Sequence, residues 1–185
     1  MRQFVLLLVA LFSVSASAAV KLPDQGKTKA FRGRVTVTSP IRVPGMPSTM
    51  QANLRAQVTP LANGQVRFQS ELSGLPVGGA QTLDVIGTLV RETPTELEIH
   101  FGDGAYRTAL EASINQGIRG LPMVGSTHIP LTSASAVTKL RLGATTVDVD
   151  TTATMQLQRT GGFLLKQLIP RGPVTMAFTG QLTEE

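Results

Sequence analysis

The sequence predicts an all-β, mainly antiparallel single domain, a β-barrel or β-sandwich of about 8–10 strands with one or two short helices. Three observations carry this. Polar and apolar residues alternate with period two over several long runs. Turn-forming residues separate those runs. The chain has 185 residues, a length that suits one core, and it shows no repeat of constant period and no second domain.

Alternation puts successive side chains on opposite faces of a strand. Val147, Val149, Thr151, Ala153, Met155 and Leu157 fall on one face, and the intervening residues from Thr146 to Gln158 include no apolar side chain. Val174, Met176, Phe178, Gly180 and Leu182 repeat the pattern, as do Val66, Phe68, Ser70 and Leu72, and Phe31, Gly33, Val35 and Val37. Each run has one dry and one wet face, the mark of an antiparallel sheet. Pro60-Leu61-Ala62-Asn63-Gly64 reads as a hairpin turn, because Asn-Gly accepts positive φ. Thr93-Pro94-Thr95, Gly102-Asp103-Gly104 and Leu142-Gly143-Ala144 punctuate later strands. Met50, Leu54 and Val58 fit helical spacing too, but the turn and the clean strand after them favour a strand. Tyr106 to Gln116 is open between helix and strand, with Gly117 a suitable helix stop. Thr127 to Thr138 is rich in Ser and Thr and reads as an ordinary loop.

Residues 1–18 read as a cleaved secretory signal peptide. Arg2 supplies the positive start, Phe4 to Phe12 the apolar stretch, and Ala16-Ser17-Ala18 the small residues before a cut at Ala19. Nine apolar residues are too few to span a bilayer, which needs about 20. The protein is therefore expected to be exported, periplasmic or at the cell surface. Residues 19–30 follow as a basic N-terminal arm and 31–185 as the β domain. There is no cysteine, hence neither a disulfide nor a lipidated cysteine. Six aromatic residues beyond the leader are too few for the two girdles of a membrane barrel. The chain is accordingly expected not to span a membrane, with peripheral contact left open.

Without Arg2, 16 Lys and Arg face 12 Asp and Glu, a net charge of +4. Lys27, Lys29, Arg32 and Arg34 are candidates for contact with an anionic surface. No nucleic-acid motif accompanies them, and Phe31 is the one aromatic among them.

No catalytic constellation emerges. His100 and His128 are isolated, and no serine sits in a G-x-S-x-G elbow. Glu96, Glu98 and His100 share one side of a strand at a spacing too wide for one small ion. Neither a metal nor another cofactor is expected. The segment Gly161 to Pro170 does not alternate, so Phe163, Leu164, Leu165, Leu168 and Ile169 are expected to lie outside the sheet, as a plug or a lip over one end. Leu121, Met123 and Val124, in a similar Gly- and Pro-bracketed stretch, suggest a second lip. The expected function is a non-catalytic cell-envelope protein that binds an apolar or lipid-like ligand through one end of its barrel or sandwich. The alternative is an accessory structural subunit of a surface or envelope assembly, held to an envelope partner by sheet edges and apolar loops.

Overall fold

The computed structural model describes residues 20–40, 47–75, 79–118, 128–159 and 169–185. Eight strands run in order: β1 (Lys29–Thr38), β2 (Thr49–Pro60), β3 (Gln65–Ser73), β4 (Gln81–Glu92), β5 (Glu96–Phe101), β6 (Leu131–Leu142), β7 (Thr146–Leu157) and β8 (Val174–Glu184). One α-helix, α1 (Ala105–Ile118), lies between β5 and β6, and a 3-10 turn spans Ala62–Gly64. Every strand pairs antiparallel with its chain neighbour, and β8 returns to β1, which closes the sheet into a barrel. Of the two architectures the sequence left open, the barrel is the one formed, and closure leaves no strand edge.

The alternation runs as the sequence predicts. Val35 and Val37 of β1, Ala56 and Val58 of β2, Leu97 and Ile99 of β5, and Val147 and Val149 of β7 point inward and are buried. Arg32, Arg55, Arg67, Asp84, His100, Asp148 and Thr179 point outward and are exposed. The wall is thus polar, the inverse of a lipid-facing barrel with its outward apolar band. No helix among the described residues is long and apolar enough to cross a membrane. Asn63 and Gly64 take φ of 59° and 69°, the left-handed conformations expected of that turn. The Met50–Val58 segment is strand, and Tyr106–Gln116 is helix.

One expectation is corrected. Leu131 to Thr138, read as a Ser- and Thr-rich loop, is the first part of β6. Around its middle the inward positions are small (Ala134, Ala136) and the outward Ser133 and Ser135 are hydroxyls, so the alternation is present there but lacks bulky markers. Thr138 faces inward and is buried because its hydroxyl meets that of Thr151 at 2.9 Å.

The two ends of the barrel differ. At one end the turns are short, Ala62–Gly64 and residues 93–95 and 143–145. Residues Val20 to Gly26, read as part of a basic arm, cross this end. The Val20 N–H donates to the Gly143 carbonyl (2.9 Å), and the Gly26 N–H to that of Pro60 (2.8 Å), half the circumference away. Val20 is buried there and Leu22 packs beside it. All four long connections, residues 39–48, 74–80, 102–130 and 158–173, leave and re-enter at the other end.

Candidate functional site

The end bearing the long connections is built around α1. The helix starts after a turn in which Gly104 holds φ of 89°. There the Thr108 N–H and hydroxyl both donate to the Gly104 carbonyl, at 3.0 and 3.1 Å. Polar side chains staple the helix to the chain entering β6. Asn115 Nδ2 donates to the Ile129 carbonyl (3.0 Å), while its Oδ1 accepts the Ile129 N–H (2.7 Å). Glu111 Oε2 accepts the Leu131 N–H (2.8 Å), and its Oε1 lies 2.8 Å from His128 Nε2. Gln116 Nε2 donates to the Ala80 carbonyl beside β4 (3.4 Å).

Tyr106, Ser113 and Gly117 occupy the buried face of α1, at helical spacing. The Tyr106 ring stacks on Phe101 at 5.7 Å between centroids, and Phe101 meets Phe68 at 6.0 Å. An aromatic series therefore runs from the helix onto the inner wall. Burial pushes the Tyr106 phenol up to about 12, so it stays a neutral O–H donor at physiological pH.

The inner wall is not equally sealed along its length. Toward the short-turn end Phe31, Val58, Val66, Leu97, Leu140, Val147 and Leu182 are buried. Toward the helix end Val37, Ala52, Phe101, Met155, Leu157 and Val174 are buried as well, and the half-buried inward apolar side chains are Phe68, Leu72, Leu83, Met176 and Phe178 of β3, β4 and β8, with Leu89 and Leu142 at the short-turn end. Three of the half-buried side chains, Leu72, Leu83 and Met176, lie on the side where α1 and the long connections gather.

Of the residues expected to form apolar lips, Phe163, Leu164, Leu165, Leu168, Leu121, Met123 and Val124 lie outside the described residues. The connections that carry them join β7 to β8 and β5 to β6, both at the helix end. Ile169 is described and is buried at 5% exposure, which makes it a core residue rather than an exposed contact.

The basic candidates divide. Lys27 pairs with Asp24 (2.8 Å) and Lys29 with Glu184 (3.0 Å). Arg32 and Arg34 line an open outer-wall cleft with Arg55 and Asn53. Arg32 and Arg55 stand directly opposite in register and share Glu185, at 3.9 and 2.9 Å. Arg34 has no ion pair among the described residues. Sequence reasoning missed Arg55, because only the β1–β2 register brings it beside Arg32.

The remaining charged pairs are surface pairs. His100 Nε2 lies 2.6 Å from Glu98 Oε1, and this hydrogen bond, ahead of the charge of Lys139, holds the Glu98 carboxyl below its usual range. The Arg67 guanidinium does the same to Asp84, gripping both of its oxygens. Each histidine thus has a carboxylate partner, and neither stands beside a described serine or threonine hydroxyl within bonding distance. No three His, Asp or Glu side chains gather among the described residues. Comparison with known proteins finds no matching family model, no matching curated protein and no matching solved structure.

Proposed function

We propose that this protein is an exported, non-catalytic binding protein of the cell envelope, and that it takes an apolar, lipid-like ligand into the helix-capped end of its barrel. One observation carries the reading. Within a mostly sealed apolar interior, the inward-facing Phe68, Leu72, Leu83, Met176 and Phe178 of β3, β4 and β8, from mid-barrel to that end, are only half-buried. An eight-stranded barrel is just wide enough either to be filled by its own side chains or to hold one small ligand. Here most of the interior follows the first pattern, and the half-buried side chains of β3, β4 and β8 favour the second. Apolar wall that meets water in an otherwise polar-faced molecule is the usual site for an apolar guest. Export rests on the leader-like residues 1–18.

The alternative, an accessory subunit held by sheet edges, has less to stand on because the closed barrel offers no free edge. What favours it is the pair Ile86 and Val90, about half exposed on the outer wall of β4.

The test uses the chain from Ala19 onward, stripped of lipid, titrated with the neutral apolar dye N-phenyl-1-naphthylamine. Saturable binding at one site per chain is expected. Met176→Trp, which fills the accessible space, should weaken it about tenfold while the circular dichroism stays β-dominated. Absence of saturable binding by folded protein would remove this reading. So would binding that neither Met176→Trp nor Phe178→Ala alters.

A further inference from the structure

The buried face of α1 carries two hydroxyls that make no hydrogen bond among the described residues. Tyr106 is 5% exposed and Ser113 is 7% exposed, yet neither has a partner, and neither has an interaction left unspecified. Other buried polar side chains here are satisfied: Asn115 bonds Ile129 and Glu111, and Thr138 bonds Thr151. A buried polar group without a partner is costly and rare, so each such group calls for a specific reason. Both hydroxyls lie on one face of one helix, two turns and about 10 Å apart along its axis. The helix packs against β4 and β6 at the end where Leu72, Leu83 and Met176 are half-buried, and Tyr106 stacks on Phe101, which meets the half-buried Phe68.

We infer that Tyr106 is the polar anchor of the ligand's head, with Ser113 open to a second polar group further along the ligand, and that the ligand is an uncharged amphiphile: a long apolar body whose head carries a neutral oxygen acceptor such as an alcohol, ester or ketone. This rests on the apolar-ligand reading above and specifies the ligand's head. The requirement for a neutral head comes from the charges present. Arg107 is directed to Asp103 (3.4 Å) and the Thr132 carbonyl (3.2 Å) at the surface, and Glu111 is held by His128 and the Leu131 N–H. No unpaired cation faces the buried side of α1 among the described residues, so a carboxylate or phosphate drawn under the helix would lie desolvated without a counter-charge. A neutral oxygen has no such cost and accepts a hydrogen bond from the Tyr106 hydroxyl. An all-hydrocarbon guest would leave both hydroxyls unmet.

The test compares three probes of equal chain length, hexadecane, methyl hexadecanoate and hexadecanoate, on the lipid-stripped chain from Ala19 onward, by competition against the bound naphthylamine dye. The methyl ester should bind about five- to tenfold more tightly than the alkane, the scale of one net hydrogen bond, and more tightly than the carboxylate. Tyr106→Phe keeps the ring and removes the hydroxyl. It should erase the preference for ester over alkane, leave alkane binding unchanged, and leave the melting temperature of the ligand-free protein level or raised. Ser113→Ala should leave the preference at the wild-type value, because the single ester group cannot span the distance between the two hydroxyls. If the ester and alkane bind equally to the wild-type chain, or if Tyr106→Phe leaves the preference intact, the anchor is disproved while the apolar site stands. A drop in the ligand-free melting temperature in Tyr106→Phe would assign the hydroxyl a structural role and also overturn the inference. If no probe displaces the dye, both readings fall together.

Discussion

At the scale of single residues, the barrel depends on glycines that face its interior or its seam. A Cβ built on Gly180 would lie 2.3 Å from the Arg34 carbonyl oxygen, and one on Gly33 2.1 Å from that of Gln181. Both obstacles are backbone, which cannot rotate away, so these glycines are what allow β1 and β8 to approach closely enough to close the sheet. Gly180→Ala is expected to lower unfolding free energy by about 2–3 kcal/mol, measured by urea denaturation. An unchanged midpoint would show that the seam can widen without cost. On the outer wall, Glu98 owes its lowered titration first to the hydrogen bond with His100. Because its folded value lies below its unfolded one, whatever stability it contributes is present above the usual carboxylate range and is lost as pH falls through the lowered value. Replacing His100 with alanine should move the Glu98 titration, followed by carboxyl carbon NMR, upward toward the ordinary carboxylate position. An unmoved titration would assign the shift to Lys139 instead.

At the scale of elements, α1 is held both by apolar packing of Tyr106, Ala109, Leu110 and Ile114 and by side chains that imitate a strand. Asn115 offers Ile129 a donor and an acceptor together, as a neighbouring strand would. Asn115→Ala leaves both Ile129 backbone groups buried and unpaired, and should cost about 2–3 kcal/mol. Amide exchange at Ile129 should accelerate in step, and protection equal to wild type would mean that the helix is held elsewhere. The elements differ in how legible they are. β7 shows itself in the sequence because Val147, Val149, Met155 and Leu157 are large and every intervening residue is polar. The start of β6 is hidden because Ala134 and Ala136 fill the interior with one carbon each, and a Ser–Ala alternation looks like a loop. Tyr106 to Gln116 stays ambiguous because the inward face of α1 includes Ser113 and Gly117 rather than an unbroken apolar stripe. That same departure from the helical pattern is what leaves hydroxyls in the core. The anchoring role of Tyr106 is not legible from the sequence at all, since it depends on α1 docking against Phe101.

At the scale of the whole molecule, up-and-down topology sorts the connections by parity. Odd-to-even connections start and finish at one end and even-to-odd at the other, so the β5–β6 and β7–β8 connections, far apart in sequence, join strands at the same end, the one that bears α1. No local pattern announces this; it follows only once the sheet is known to close. The consequence is a division of labour. The packed core extends from the strapped end, with Val20 and Leu22 across it, through most of the barrel, whereas the half-buried Leu72, Leu83 and Met176 lie toward the helix end. A matched pair of truncations separates these roles. Leu97→Ala removes a side chain that is 1% exposed in the sealed ring, and should cost about 3–4 kcal/mol through lost burial and a cavity that the rigid wall cannot close. Leu72→Ala removes a side chain of the same type that is half-buried toward the helix end. There the transfer loss is smaller and the space it leaves is continuous with space already accessible, so about 1–1.5 kcal/mol is expected. Dye binding should respond in the opposite order, falling severalfold in Leu72→Ala and staying at the wild-type value in Leu97→Ala wherever that variant remains folded. Equal stability losses at the two positions would mean that the interior is packed alike along its whole length, and the helix end would then have no more claim to a ligand than the strapped one.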